Sequence, residues 1–189
     1  MKLPDIALDS LLLALSLVWL VSCCGILTSN HEKPAPEHKG VDPAFTPYVQ
    51  EYMFYAKTQG LKFDDTVTIG FKDMARSSGQ YQTIGLTTYG GSWREIDIDR
   101  EYWYEHTKTS DMILLFHELT HAYCTRGHDY AKDKKYGEAG KINKDSEKDG
   151  YYEDGCPISI MYPVIINDDC TFAHYSEYTN EMFQNCDPW

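Results

Sequence analysis

The sequence predicts an α+β domain that extends from Asp42 to the C-terminus at residue 189. Apolar residues recur at helical spacing at the start of this region and again over Met112–Cys124, which predicts two helices. Three short segments between them alternate in polarity, which is typical of strands. We expect an N-terminal helix, a twisted, mostly antiparallel or mixed sheet of about three to five strands, a second helix, and an irregular C-terminal part that ends in a helix.

The first helix is expected to begin at Asp42-Pro43, where an N-cap residue precedes a proline at the first helical position. Gly60 is expected to end it, because glycine readily takes the left-handed conformation that follows a helix. The apolar residues of this helix share one face: Phe45, Tyr48, Val49, Tyr52, Met53 and Ala56.

The predicted strands are Thr66–Phe71, Tyr81–Thr88 and Trp93–Asp99, with a turn over Tyr89–Ser92 between the last two. The terminal helix is predicted over Tyr175–Phe183. The chain is long enough for one such domain with a core, and short for two.

The N-terminus resembles an export signal over residues 1–22. Leu11–Val21 is an apolar run too short to span a bilayer, but suited to a signal-peptide core. The run continues into Ser22-Cys23, and Leu20-Val21-Ser22-Cys23 resembles the lipobox of bacterial lipoproteins, in which the cysteine carries the lipid. The alternatives are an ordinary secretory signal and a buried apolar helix with an incidental cysteine.

Residues 23–41 are polar and contain Pro34, Pro36 and Gly40, which predicts a lipid-anchored, flexible tether. We therefore expect a protein of the bacterial cell envelope, periplasmic or on the outer surface, held to the lipid bilayer through Cys23. Without the lipid it would be secreted. The net charge of −12 argues against a nucleic-acid partner.

An exported domain folds in an oxidising compartment, where cysteines form disulfides. Cys124, Cys156, Cys170 and Cys186 lie in the predicted domain and allow three connectivities. The sequence does not choose among them, and our working prediction is Cys124–Cys156 with Cys170–Cys186.

The second helix carries the stretch HELTHAYCTRGH, from His117 to His128. Ser110 or Asp111 is expected to be the N-cap of this helix. His117 and His121 then lie one turn apart on one face, where two imidazoles can bind one metal ion. Glu118 follows at about 100° around the helix, near the ion without being its ligand.

A catalytic zinc site has three protein ligands and an open fourth position. Gly127 is suited to reverse the chain after the helix, and His128 comes directly after it. This placement predicts His128 as the third ligand. The alternative is a surface His128, with Asp129 or a later Glu as the ligand.

The stretch resembles the extended zinc motif of metzincin metallopeptidases, HExxHxxGxxH. It departs from the family pattern because His128 follows His121 after seven residues instead of six, and because the glycine directly precedes the last histidine. Ser159 to Pro163 (SIMYP) resembles the Met-turn of that family, in which Met161 would lie beneath the zinc-binding histidines.

The resemblance implies a zincin-like fold and a zinc-dependent endopeptidase with one catalytic Zn²⁺. It implies that Glu118 is the general base for a zinc-activated water. The substrate would be a peptide or protein, lying along an edge strand formed by Tyr81–Thr88 or Trp93–Asp99. Tyr162 would contact the substrate or the oxyanion, or have only a packing role, and we expect a monomer.

The sequence is also compatible with three other interpretations. HELTHAY followed by Gly127-His128-Asp129 also resembles the SprT-like peptidases that act on DNA–protein crosslinks, although the acidic charge and the lipobox argue against them. A gluzincin would use Glu138 or Glu153 as third ligand. From a different class, the chain would be a zinc-stabilised binding lipoprotein without catalysis.

Several other polar residues are not expected to bind a metal. His31 and His38 fall in the tether, and His106 and His174 are interpreted as ordinary polar residues. The acidic stretch Asn143–Asp154 resembles the start of a calcium loop. However, position twelve of that loop is Cys156 where an EF-hand needs Glu, so a solvated loop is favoured over a calcium site.

Overall fold

A computed structural model of the chain describes residues 36–64, 66–75, 82–128 and 151–186. The predicted export signal, Cys23, Glu138 and most of Asn143–Asp154 lie outside these residues. The described part contains five helices and three strands, which confirms the mixed α+β class. In chain order they are α1 (Thr46–Thr58), β1 (Val67–Lys72), β2 (Gly85–Gly90), β3 (Trp93–Asp99), α2 (Arg100–Glu105), α3 (Lys108–Cys124), α4 (Asp168–Ala173) and α5 (Tyr175–Glu181).

The three strands form an open, mixed sheet in the order β1-β3-β2. Strand β1 is parallel to β3, with Ile69 opposite Ile96, and β2 is antiparallel to β3, with Thr87 opposite Ile96. The order leaves β2 at one edge of this sheet, beside helix α3. The exposed edge of a strand offers unpaired N–H and C=O groups to an added strand.

Helix α3 is held in place by a large apolar core. Leu115, Phe116 and Leu119 are fully buried, together with Ile96 and Ile98 of β3. Burial of such a side chain stabilises a fold by about 1.5–3 kcal/mol, so the orientation of α3 about its axis is strongly determined. The polar residues of the HELTH stretch therefore have a fixed direction.

The sheet also pairs with residues upstream of the predicted boundary at Asp42. Val41 forms a parallel bridge with Ile69, whose N–H donates to the Gly40 carbonyl at 2.9 Å. The His38 imidazole contacts the Asp97 carboxylate, Nε2 to Oδ1, at 2.8 Å. A Cβ at Gly70 would lie 2.2 Å from this ring, so the close approach requires glycine there.

The two long helices begin at residues other than the predicted caps. Helix α1 starts after Phe45, because Asp42 forms a turn in which its Oδ1 accepts the Ala44 N–H. Helix α3 starts at Lys108, about one turn before Met112, because Thr107 is the N-cap and its Oγ1 accepts the Ser110 N–H at 3.1 Å. Gly60 ends the first helical run with a φ of +78°, as predicted.

Two short helices and a shifted strand differ from the predictions. Helices α2 and α4 have six residues each, too few for a periodic pattern, and each is capped by a side chain, Asp99 and Asn167. Strand β2 begins at Gly85 and includes Tyr89 and Gly90, so the turn is shorter than predicted. The terminal helix ends at Glu181.

The predicted disulfide pairing was wrong. The bonds are Cys124–Cys186 and Cys156–Cys170, with Cα–Cα distances of 4.4 and 5.4 Å. The C-terminal segment returns to the end of α3, which places Cys186 beside Cys124. The other bond closes a loop of sequence separation 14 that contains SIMYP.

Disulfides persist in oxidising compartments, so these two bonds indicate an extracellular or periplasmic location. Among the residues that the structure describes, no helix is long and apolar enough to cross a membrane.

Candidate metal centre

Three histidines converge at the C-terminal end of α3. His117 and His121 come from successive turns of the helix, and His128 comes from the loop that follows it. The Nε2 atom of His117 lies 3.0 Å from Nε2 of His121 and 3.2 Å from Nε2 of His128. His117 is buried, His121 is half-buried and His128 is exposed, so the group opens toward solvent on one side.

The first two imidazoles are oriented by backbone carbonyls. Nδ1 of His117 lies 2.8 Å from the Ile160 oxygen, and Nδ1 of His121 lies 2.5 Å from the Arg126 oxygen. A carbonyl oxygen only accepts hydrogen bonds, so each Nδ1 must carry the proton. The neutral ring then has its lone pair on Nε2, which points to the centre of the group.

This donor set fits a tetrahedral metal ion. An ion bound at about 2.05 Å by imidazole nitrogens would have those nitrogens about 3.3 Å apart. The observed separations of 3.0 and 3.2 Å are close to this value. Two lone pairs that face each other at this distance repel, and a cation between them removes the repulsion.

Burial also keeps the histidines neutral, which is the form that binds metals. Loss of hydration, together with the neighbouring His121, lowers the pKa of His117 to about 3. The pKa of His121 is lowered mainly by its own burial, against the hydrogen bond to Arg126. Both rings are therefore unprotonated at neutral pH.

The chain reverses after α3 at Thr125 instead of at Gly127. Thr125 is in the left-handed conformation with a φ of +51°, whereas Gly127 has no positive φ. The reversal still brings His128 back to the other two histidines, as predicted. No sequence signal marks Thr125, because threonine seldom takes this conformation.

Glu118 lies beside the histidines in a buried position. Its side chain is 5% exposed, and its Oε2 accepts a hydrogen bond from Thr87 Oγ1 at 2.7 Å. Burial raises the pKa of this carboxyl to about 7, against the lowering effect of Thr87. The strand passes so close that a Cβ at Gly85 would lie 2.4 Å from Glu118 Oε1.

Thr87 and Gly85 are site residues that sequence reasoning missed. They lie about 30 positions before Glu118 in the chain, and only the packing of β2 against α3 brings them together. Nothing in the local pattern of Tyr81–Thr88 distinguishes these two positions.

A cleft of about 570 Å³ lies between strand β2 and helix α3. Glu118 and His121 line its helix side, and residues 125–128 of the following loop also line it. On the strand side, Tyr89 is 44% exposed and its hydroxyl donates to the carbonyl of His121. The cleft therefore joins the edge strand to the histidine group.

The SIMYP segment lies against the inner side of this group. Met161 is fully buried in the core, directly after the Ile160 whose carbonyl accepts the His117 hydrogen bond. Tyr162 is not one of the described residues that line the cleft, and its hydroxyl contacts the hydroxyl of Tyr151.

A second group of metal-ligand residue types contains Asp154, Cys156 and His174. Cys156 is in the disulfide with Cys170, and Nε2 of His174 lies 2.7 Å from Asp154 Oδ2. These atoms already have partners.

The remaining candidates lie away from the centre. Nδ1 of His106 contacts the Tyr102 carbonyl at 2.9 Å, which is an ordinary polar contact. Glu153 is exposed and is in neither group of metal-ligand residues in the described part of the chain.

Comparison of the chain with protein-family models, with curated proteins and with solved structures gave no match. The functional interpretation therefore depends on the residues and on their geometry.

Proposed function

We propose that the protein is a zinc-dependent endopeptidase with a zincin-like fold. One observation carries the proposal: three imidazole nitrogens converge next to a buried glutamate, at a cleft that runs along an edge strand. The groups that a metallopeptidase centre would need thus lie together, although they come from a helix, a loop and a strand.

His117, His121 and His128 would hold the metal ion. The set of three neutral nitrogen donors with an open side favours zinc, and matches catalytic rather than structural zinc sites. A zinc ion in this position supplies Lewis acidity, which makes bound water more acidic and polarises a carbonyl oxygen.

Glu118 would act as the general base. It projects from the same helix as two of the proposed ligands and lines the cleft in which an attacking water would lie. It would accept the proton of that water and then transfer it to the leaving amine. Thr87 would hold the carboxylate in place through its 2.7 Å hydrogen bond.

Strand β2 would bind the substrate. It lies at one edge of the sheet and four of its residues line the cleft, and an extended peptide can add to such an edge through backbone hydrogen bonds. Because backbone groups supply most of that binding, the substrate class is an extended peptide or an unfolded protein segment.

SIMYP supports the metzincin-like assignment, since Ile160 orients one metal-binding histidine and Met161 is buried directly after it. The lipobox at Cys23 supports anchoring to the bacterial cell envelope, and the two disulfides agree with that location. The partners would then be a lipid bilayer and a peptide substrate.

Substitution of Glu118 by Gln tests the proposal. The variant keeps the size of the side chain and removes its basicity, so cleavage of a peptide library should fall by about 10²–10⁴-fold. Zinc content, measured by elemental analysis, should stay at one ion per chain. Glu105→Gln is the matched control, because Glu105 is exposed at the end of α2.

Unchanged cleavage by Glu118→Gln would contradict the assigned role. If the parent protein bound zinc but cleaved no peptide, the non-catalytic binding lipoprotein would be the better interpretation.

A further inference from the structure

The carbonyl groups that orient His117 and His121 belong to two segments that are distant in sequence. Ile160 lies in SIMYP, and Arg126 lies in the loop after α3. A metal centre needs both carbonyls in position, because an acceptor on Nδ1 fixes the tautomer and the orientation of the ring.

One carboxylate, that of Glu181 on helix α5, contacts both segments. Its Oε2 accepts the Ile160 N–H at 3.0 Å. Its Oε1 accepts a hydrogen bond from Nη2 of Arg126 and another, at 3.1 Å, from Ser159 Oγ. Nη1 of Arg126 also donates to the Glu181 backbone carbonyl at 2.8 Å.

The contacts are shielded from water. The Arg126 side chain is 8% exposed and that of Glu181 is 16% exposed. Arg126 thus contacts both the carboxylate and the backbone carbonyl of Glu181. A charge-assisted hydrogen bond is stronger than a neutral one, and burial strengthens it further. The pair can therefore fix the position of the Arg126 carbonyl. It also fixes where the following segment, Gly127-His128, begins.

We infer that Glu181 is the positioning residue of the metal centre. It is a single acidic side chain that holds the carbonyl partners of two metal-binding histidines and the loop that carries the third. This inference rests on the proposed function, since it assumes that the three histidines bind a metal ion.

The proposal predicts that Glu181 sets metal affinity without contacting the metal. Glu181→Gln keeps an oxygen for Ile160 but loses the charge that holds Arg126, and Glu181→Ala loses every side-chain contact. Loss of an outer partner of a metal-binding histidine weakens affinity by about 10–100-fold. We expect the lower end of this range for Gln and the upper end for Ala.

The experiment measures zinc affinity of the full chain by competition with a chromogenic chelator. The visible absorption spectrum of the Co²⁺-substituted protein reports the ligand geometry independently of activity. Glu177→Gln is the matched control, because Glu177 lies one turn earlier on α5 and is exposed, with Ser176 as its partner. Arg126→Lys is a second test, since lysine keeps the charge but cannot make both contacts with Glu181.

The expected result is weaker zinc binding and an altered cobalt spectrum in the Glu181 and Arg126 variants, with Glu177→Gln equal to the parent. If the Glu181 variants bound zinc as tightly as the parent, with the same spectrum, the inference would be overturned and the proposed function would stand. Lower thermal stability with unchanged affinity would overturn it equally. If the parent itself bound no zinc, both proposals would fall. If Glu181→Ala does not fold, Glu181→Gln and Arg126→Lys still test the inference.

Discussion

Two groups of metal-ligand residue types lie in the described part of the chain, and their donor atoms differ in availability. In the group of His117, His121 and His128, the first two imidazoles donate hydrogen bonds from Nδ1 to backbone carbonyls. Their Nε2 lone pairs therefore point inward. In the other group, Cys156 is oxidised and His174 is paired with Asp154.

The difference shows that proximity of ligand-type residues does not define a metal site. A donor atom binds an ion only if its lone pair has no better partner and if a second contact holds the rest of its side chain in place. Asp154 is occupied on both oxygens, since Oδ1 accepts the Cys156 N–H at 3.0 Å. The four predictions below test this difference, from the largest expected effect to the smallest.

The largest effect should come from removal of one histidine from each group. His121→Ala should weaken zinc binding by more than about 100-fold, because it removes a ligand rather than an outer partner. His174→Ala should leave both affinity and stoichiometry unchanged. Chelator competition on the purified proteins measures both values, and equal losses in the two variants would remove the distinction between the groups.

The disulfide of the second group should stabilise the fold, and this effect should be independent of metal binding. Replacement of Cys156 and Cys170 by Ser should lower the free energy of unfolding by about 3 kcal/mol, from the closure of a loop of sequence separation 14. The same change at Cys124 and Cys186, which are 62 residues apart, should cost about 4 kcal/mol. Denaturant unfolding with and without a chelator measures these changes. A Cys156 effect that vanished in chelator would indicate that this residue acts as a ligand.

The buried carboxylate of Glu118 distinguishes the first group further, and Gly85 leaves the space in which it lies. Gly85→Ala would place a Cβ 2.4 Å from Glu118 Oε1, so the carboxylate must move. A displacement of about 1 Å can lower turnover by about 100-fold, with zinc content unchanged.

Gly70→Ala is the matched control for this variant, because Gly70 lies on β1 and its Cβ would crowd His38 instead of Glu118. It should lower stability by about 1–3 kcal/mol without the selective loss of cleavage. Peptide cleavage and thermal unfolding separate the two outcomes, and equal cleavage losses would indicate general damage to the sheet.

The smallest effect should be a pH dependence in the second group. Hydrogen bonds from the Cys156 backbone and from His174 lower the pKa of Asp154. A carboxyl whose pKa is lower in the folded state stabilises the fold above its unfolded-state pKa, and this contribution is lost as the pH falls through the folded-state value. Asp154→Asn should therefore be slightly less stable than the parent at pH 6 and equal to it near pH 2.

Unfolding midpoints across this pH range check the prediction. Glu153→Gln serves as the control, because Glu153 is the exposed neighbouring carboxyl. A constant difference between Asp154→Asn and the parent at all pH values would show that ionisation of Asp154 is not the cause.

Local patterns predicted much of the fold. Strand β3 has the predicted bounds, Trp93–Asp99, and helix α3 ends at Cys124 as predicted. The convergence of His121 and His128 also followed from a helix, a reversal and a short distance along the chain. These features depend on neighbouring residues, whose periodicity is visible in the sequence.

Features that join distant residues were missed or predicted wrongly. The disulfide partner of Cys124 depends on where the C-terminal segment returns, and the reversal at Thr125 goes against the conformational preference of threonine. The short helices α2 and α4 depend on single side-chain caps rather than on a repeating pattern.

The sequence by itself determined the helix that carries two histidines one turn apart, the adjacent glutamate, and the third histidine within reach, because helical geometry relates positions close in the chain. Only the tertiary structure decided that Ile160 and Arg126 orient the imidazoles, that Thr87 holds Glu118, and that Glu181 connects the supporting segments. The reason is physical: a hydrogen bond between residues far apart in the chain depends on how whole elements pack, and no local spacing specifies that packing.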